Sequence, residues 1–252
     1  MSKRTSPYER ELDSILAALP AAGSVASGRR KPSLLLHACC APCSSYVIEY
    51  LSRYFAITIY YYNPNIHPAQ EYGRRRDELL DFLPRFLAST GTTPGIQVIE
   101  GRYDPEDFYR ATGVREEPEL QTEAEKGERC RRCYEFRMKA ASQYAREHAF
   151  DWFTTTLSIS PFKDAGKINA IGRALEQEGE DSAGGAPRFL PSDFKKKGGF
   201  KRSLELSAEY GLYRQDYCGC AYSRANKGSC PKSDRFQNPA QDRPLPKSPE
   251  SC

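Results

Sequence analysis

The segment SLLLHACCAPC, residues 33–43, runs from a short apolar stretch directly into three cysteines. The apolar start is typical of a buried β-strand, and residues 44–54 carry apolar side chains at helical spacing. Pro42 holds the residue before it in an extended conformation and supplies a fixed φ for the start of a helix. We therefore expect a strand that ends at 37–40, followed by a helix with Cys43 in its first turn, where the helix dipole favours a thiolate.

The alternation of strand and helix continues along the chain. Further strands are expected at 57–62, 96–99 and 152–157, and helices at 72–87 (apart from Pro84), 127–148, 164–178 and 199–210. This order predicts an α/β fold, a Rossmann-like parallel sheet with helices on both faces. Such sheets bind ligands beyond the C-terminal ends of their strands, so we expect a metal site there.

Both ends of the chain differ in composition from this core. Residues 8–19 have apolar side chains at helical spacing and predict a short docking helix, and a linker follows. After Arg224 the chain is rich in Pro, Lys, Ser and Asp, which predicts disorder. The expected units are an N-terminal extension and linker at 1–30, a catalytic domain at 31–224, and a disordered tail at 225–252.

Seven of the nine cysteines fall into three close groups, at 39–43, 130–133 and 218–220. Soft metals, iron–sulfur clusters and dithiol redox chemistry all require such spacing. Cys39 and Cys40 can share a site only if the strand has ended before them. Their adjacency is unusual for tetrahedral zinc, but a zinc-stabilised RNA-binding domain without redox catalysis remains the alternative. Cys230 and Cys252 lie in the tail and are not expected to be ligands.

The chain lacks the marks of a secreted or membrane protein. Its N-terminus is polar, and no apolar run approaches the roughly 20 residues that a membrane span needs. We expect a cytoplasmic protein with reduced thiols and no membrane partner. The net charge of +4 is too small to indicate nucleic acid by itself, but local basic runs offer phosphate contacts. The residues expected to make those contacts are Arg131, Arg132, Lys195, Lys196 and Lys197.

Four motifs, in this order, resemble the cobalamin-independent epoxyqueuosine reductases of the QueH type. They are HACCAPC at 37–43, CRRCYEFR at 130–137, TTTLSISPFKD at 154–164 and YRQDYCGCAYS at 213–223. The resemblance covers residues 31–224. It implies an iron–sulfur enzyme that reduces the epoxide of epoxyqueuosine at the tRNA wobble position to the cyclopentene of queuosine, the last step of queuosine biosynthesis.

The resemblance also implies the cofactor and the residues that use it. The implied ligands of a [4Fe–4S] cluster are Cys39, Cys40, Cys130 and Cys133. Cys218 and Cys220 are implied as a redox-active pair. An additional mononuclear iron beside the cluster and the role of Cys43 stay open. The implied partners are tRNA carrying epoxyqueuosine and an electron donor that the sequence does not identify.

The chemistry of epoxide removal fits these residue types. Leaving a carbon–carbon double bond requires two electrons, which a cluster or a dithiol can supply, and an iron with an open position can bind the oxygen. A proton donor is also needed, and Lys163, Asp164 and Tyr222 are candidates, with Asp164 placed in the catalytic set. A relative of the ATP pyrophosphatases is a third possibility, but it requires a glycine-rich phosphate loop where this chain has residues 39–44.

Overall fold

The computed structural model describes residues 6–19, 30–91, 95–180 and 186–225. Its strands are β1 (Ser33–Ala38), β2 (Ala56–Tyr61), β3 (Gln97–Glu100), β4 (Trp152–Thr155) and β5 (Arg188–Phe189). Its α-helices are α1 (Pro7–Ala18), α2 (Ala41–Leu51), α3 (Ala69–Thr90), α4 (Pro105–Thr112), α5 (Glu119–Thr122), α6 (Glu128–Glu147), α7 (Ala165–Glu180), α8 (Gly199–Glu209) and α9 (Ala221–Ala225).

The five strands form one parallel sheet in the order β3-β2-β1-β4-β5. β1 is central, and its Leu36 lies opposite Ile59 of β2 and Thr154 of β4. The chain moves outward from β1 to β3 and then returns to the other side of β1. This reversal opens a crevice between the ends of β1 and β4, the usual ligand position in such sheets. The predicted α/β fold with a parallel sheet is confirmed.

Alternate residues of β1 enter two separate apolar cores. Leu34 and Leu36 pack into a core that also holds residues of α1, α2, α3 and α8. Leu35 packs into a second core with residues of α6 and α7. Because successive side chains of a strand point to opposite faces, helices must cover both sides of the sheet. All three leucines have no exposed surface.

The structure extends or corrects several predicted boundaries. β4 ends at Thr155, and a 3-10 helix (Thr156–Ile159) follows where the sequence predicts strand to residue 157. Pro84 lies inside α3 instead of interrupting it. The proline is exposed, and so is Leu80, whose carbonyl Pro84 cannot bond. Solvent can therefore satisfy that carbonyl and the helix continues.

The predicted N-terminal helix is confirmed as α1, which packs into the first apolar core through Leu12 and Leu16. A capping box between Ser6 and Glu9 fixes its start. The expected linker and the expected disordered tail fall largely on residues 20–29 and 226–252, which lie outside the described residues. None of the described helices combines the length and apolar character needed to cross a bilayer.

Candidate metal and redox site

The end of β1 gathers three thiols, called here the Cys39 group (Cys39, Cys40 and Cys43). The strand stops at Ala38, and the sulfurs of Cys39 and Cys40 lie 3.8 Å apart. All three sulfurs lie within 4.8 Å of one another. Cys40 is the N-cap of α2 and has an extended backbone. The sequence predicts this conformation for Ala41, the residue before Pro42, but Ala41 is already the first residue of the helix. Cys43 falls in the first turn of the helix, as expected.

The Cys39 group holds its negative charge mainly on one sulfur. Hydrogen bonds from Cys40, which has the larger effect, and from Cys43 hold the pKa of the Cys39 thiol well below its usual range. The hydrogen bond to Cys39 raises the pKa of Cys43 to about 12. Gln215 donates from Nε2 to the Cys40 sulfur at 2.9 Å. The arrangement offers a thiolate with two neighbouring thiols, which suits a soft metal.

Four further thiols line one cleft beside the Cys39 group, called here the thiol cleft. Its cysteines are Cys130, Cys133, Cys218 and Cys220. The first two come from the opening turns of α6, where a spacing of three puts them on one side. The carboxylate of Glu123 accepts hydrogen bonds from the backbone N–H groups of Glu128 and Arg129, at 2.6 and 2.7 Å. Glu123 therefore caps the helix that presents this pair.

The loop that carries Cys218 and Cys220 is held by contacts with the backbone and side chains of residues 66–67. Gly219 has a φ of 107°, and its carbonyl accepts a hydrogen bond from the N–H of His67 at 2.8 Å. A Cβ at this position would lie 2.7 Å from Cγ1 of Ile66, so only glycine fits. A hydrogen bond from Cys220 holds the pKa of the Cys218 thiol well below its usual range. All seven described cysteines are free thiols.

Two cations lie between the Cys39 group and the thiol cleft. Arg137 is 2% exposed, and its Nε donates to the carbonyl of Cys133 at 3.2 Å. Lys163 lines the cleft, and its charge lowers the pKa of both Cys39 and Cys218. Burial by itself lowers the pKa of the Lys163 ammonium. The negative charge of Cys218 and, to a smaller extent, Tyr134 has the larger effect, so the pKa of Lys163 is raised.

The donor set fits an iron–sulfur cluster. Thiolates are the ligands that such clusters use, and a cluster held by four thiolates carries net negative charge. The predicted ligands come from both sides, with Cys39 and Cys40 in the Cys39 group and Cys130 and Cys133 in the cleft. Arg137 and Lys163 face both sides and can offset that charge. Which thiols bind the cluster stays a prediction.

His37 is a packed residue. It has no exposed surface, and burial lowers its pKa to about 4. Nε2 lies 3.1 Å from the carbonyl of Tyr62, which can only accept, so Nε2 carries the proton. Nδ1 then accepts from the Thr155 hydroxyl at 2.9 Å. The neutral ring fixes the end of β1 against β4.

Asp164, predicted as catalytic, lies at the start of α7. Its Oδ1 accepts a hydrogen bond from the backbone N–H of Lys167 at 3.1 Å, a helix-capping contact. The neighbouring Lys163 lines the thiol cleft. A catalytic role for Asp164 stays a prediction.

The cations expected to contact phosphate are largely paired with carboxylates. Arg131 pairs with Glu128 and Glu135, and Arg132 pairs with Glu117 and Glu128. Further along the chain, Lys195 pairs with Asp193 and Lys197 with Asp13. A phosphate would have to compete with these carboxylates.

The sequence-based prediction misses several residues of the site, among them Arg137, Glu125, Phe162 and Gln215. Glu125 and Phe162 line the thiol cleft, and Gln215 contacts Cys40. Phe162 is 43% exposed, an unusual position for a large apolar side chain. Arg137, Phe162 and Gln215 lie inside the quoted motifs and Glu125 lies shortly before Cys130, but position in the sequence does not show where a side chain points.

Known proteins are similar to this chain over most of its length. A family model described as epoxyqueuosine reductase QueH matches residues 34–226. The chain belongs to the epoxyqueuosine reductase QueH family. The expected resemblance is thereby confirmed, as is the expectation that the chain is an enzyme of the oxidoreductase class.

Individual relatives cover most of the chain. The epoxyqueuosine reductase QueH of Streptococcus pyogenes serotype M1 is 42% identical over 199 residues, which are 79% of this chain and 72% of the relative. The QueH of Staphylococcus epidermidis is 39% identical over 201 residues, 79% of each chain. The QueH of Thermotoga maritima is 32% identical over 195 residues, 76% of this chain and 90% of the relative.

Proposed function

We propose that this protein reduces epoxyqueuosine to queuosine in tRNA, with an iron–sulfur cluster and a cysteine pair as its redox groups. Family membership supports the reaction. The observation that carries the redox assignment is the thiol cleft, where two cysteine pairs and Lys163 meet at the carboxyl end of the sheet. The free thiols suit a reducing cytoplasm.

In this proposal the cluster ligands are Cys39, Cys40, Cys130 and Cys133. When bound, the cluster would store and deliver electrons beside the substrate. Arg137 and Lys163 would stabilise its negative charge from within the protein. Cys43 keeps no assigned role, and an additional iron beside the cluster stays open.

Cys218 and Cys220 act as the dithiol of the reaction. On oxidation to a disulfide the pair releases two electrons, which is what removal of one epoxide oxygen requires. Gly219 gives the loop the backbone freedom that a ring between near neighbours needs. Lys163 faces the Cys218 thiolate and so places a positive charge where the departing oxygen gains negative charge. An external reductant must then restore the dithiol.

The tRNA would present its modified base as an unstacked nucleotide. Enzymes that act on a base need it outside the stack, and aromatic side chains hold such bases by stacking. Phe162 is the exposed aromatic side chain at the thiol cleft. We therefore assign the base-stacking contact to Phe162.

The proposal is tested by comparing Cys218→Ser and Cys220→Ser with Cys130→Ser and Cys133→Ser under anaerobic conditions. Queuosine in tRNA is measured by mass spectrometry of the nucleosides, together with bound iron and free thiols. The first two variants should keep iron but lose multiple turnover, and the last two should lose iron. Oxidised wild-type protein should show two fewer thiols than reduced protein. If Cys218→Ser loses iron like Cys133→Ser, the pair are ligands. Bound zinc without redox activity would favour a zinc-stabilised RNA-binding domain.

A further inference from the structure

A carboxyl group, Glu125, lies in the thiol cleft without a fixed partner. It lines the cleft together with Cys130, Cys218 and Lys163. Its side chain makes no hydrogen bond or ion pair within residues 6–19, 30–91, 95–180 and 186–225. The neighbouring glutamates differ, because Glu123 caps α6 and Glu128 pairs with two arginines. Of these three glutamates, Glu125 is therefore the one whose carboxyl is available to react.

The loop holds Glu125 at the cleft through the backbone of the next residue, Lys126. Lys126 has a φ of 73°, an uncommon left-handed conformation for a residue with a side chain. The backbone of Lys126 hydrogen-bonds to the Cys130 sulfur, and its carbonyl accepts from Nζ of Lys167 at 2.6 Å. Strain of this kind persists only where the surroundings enforce it. The turn is therefore built to fix the residue before it.

The space between these side chains is small. It amounts to about 10 Å³, room for about one water molecule. The Cys218 thiolate and the Lys163 ammonium face the same space, and Glu125 itself is exposed at the opening of the cleft. A group in this position can act inside the cleft and exchange protons with solvent.

We propose that Glu125 is the proton donor to the oxygen that leaves the epoxide. The inference rests on the proposed function, since it concerns the same cleft and the same substrate. Both C–O bonds of the epoxide break, a C=C bond forms, and the oxygen leaves as water. The Cys218 thiolate and the Cys220 thiol become a disulfide and release two electrons and one proton. The Glu125 carboxylic acid supplies the second proton and becomes a carboxylate, so protons, electrons and charge balance.

The electrostatic surroundings of Glu125 fit this role. Burial, and then the Cys218 thiolate, raise the pKa of its carboxyl, while Lys163, Arg129 and Lys126 oppose the rise. The other titratable or charged side chains that line the cleft are Cys130, Cys133, Tyr134, Arg137 and Cys220. A general acid must be protonated to act, so the rate should fall as pH rises through the pKa of Glu125.

The test uses single turnover of tRNA carrying epoxyqueuosine by anaerobic, pre-reduced holoenzyme, with rates expressed per bound iron across the pH range. Glu125→Gln should slow queuosine formation about a hundredfold or more and abolish the fall in rate at high pH. Glu125→Asp should keep that fall at a lower rate. Glu119→Gln, an exposed glutamate of α5, is the matched control and should behave as wild type.

A second readout needs no substrate or bound metal. Alkylation of Cys218 by iodoacetamide follows its thiolate, whose reactivity should change again at higher pH as the neighbouring Glu125 loses its proton, and Glu125→Gln should lose this second step of the pH dependence. An unchanged pH dependence of alkylation, or a Glu125→Gln rate within threefold of wild type, overturns the role of Glu125 alone. If wild type forms no queuosine, the proposed function fails and the proton-donor role fails with it.

Discussion

Arg75 of α3 donates from Nη1 to the backbone carbonyl of Cys218 at 3.2 Å, although 143 positions separate the two residues. Nη2 donates to the carbonyl of Tyr217 at 3.3 Å, and Nε pairs with Glu71 at 2.7 Å. Arg75 has no exposed surface. A guanidinium can make these contacts at once because its donors form a rigid planar fork. The loop that carries Cys218 and Cys220 is therefore held by α3, a helix far from it in the sequence.

Arg75→Met should destabilise the protein by about 3–5 kcal/mol, because Glu71 and two carbonyls lose a buried cationic partner. Arg75→Lys keeps the charge without the fork and should recover only part of this. Unfolding in urea measures both. The control is Arg85→Met on the same helix, whose exposed ion pair with Asp81 should contribute about 1 kcal/mol or less. Equal losses at the two arginines would contradict the anchoring role of Arg75.

Gly219→Ala should destabilise the loop that carries Cys218 and Cys220, through both strain and collision. Its φ of 107° disfavours a side chain, and the new Cβ would meet Ile66. Gly198 provides the control, since its φ is 81° but nothing lies within 4 Å of an added Cβ. Gly198→Ala should cost about 1–2 kcal/mol of stability. Gly219→Ala should cost more and should also slow disulfide formation between Cys218 and Cys220, measured by thiol titration. Equal effects of the two substitutions would show that the close approach does not matter.

Glu78 should make the free energy of unfolding depend on pH. Burial raises the pKa of its carboxyl to about 7, although Arg74 and Arg75 lie near, and its Oε2 lacks a partner among the described residues. The folded protein therefore holds a proton that the unfolded chain releases near pH 4.5, and the free energy of unfolding falls as pH rises from about 4.5 to 7.

After allowance for partial exposure, this loss should be about 2 kcal/mol. Glu78→Gln should remove most of the slope in urea unfolding, while Glu209→Gln, an exposed glutamate of α8, should leave it unchanged. A slope that survives Glu78→Gln would assign the pH dependence to other groups.

Phe162→Ala should weaken the binding of tRNA carrying epoxyqueuosine without altering stability. Stacking on a base contributes about 1–3 kcal/mol, so the dissociation constant should rise about 5- to 150-fold. Leu80 is the control, as a large apolar side chain with 47% exposure on α3, and Leu80→Ala should not change binding. Fluorescence anisotropy with labelled tRNA measures both. A normal dissociation constant for Phe162→Ala would remove the stacking role.

The sequence predicts those parts of the fold that depend on local pattern. The apolar run before Cys39 and the proline after it place the end of β1 and the start of α2, because strand period and helix-start chemistry are local. β5 has two residues and α5 has four, too few for any periodicity to show. The sequence pattern predicts a break at Pro84 that the structure lacks, because the effect of a proline in a helix depends on its exposure, which is a tertiary property.

The candidate site divides in the same way. The close spacing of the cysteines predicts that their thiols lie near one another, because a metal or a dithiol site needs several sulfur atoms in one place. It cannot predict that Glu125 enters the thiol cleft, because this depends on the left-handed backbone of Lys126 and the tether from Lys167. The pairs of Arg131 with Glu128 and Glu135 follow from helical spacing, but the pairing of Arg132 with Glu117 cannot be predicted, since Glu117 lies on a separate loop. Contacts between distant segments decide these features.

The most direct measurement is the iron, labile sulfide and zinc content of the anaerobically purified protein. A [4Fe–4S] cluster on Cys39, Cys40, Cys130 and Cys133 predicts about four iron and four sulfide per chain, with a broad visible absorbance that disappears on Cys133→Ser. One zinc per chain with no labile sulfide would contradict the cluster and the redox site built around it.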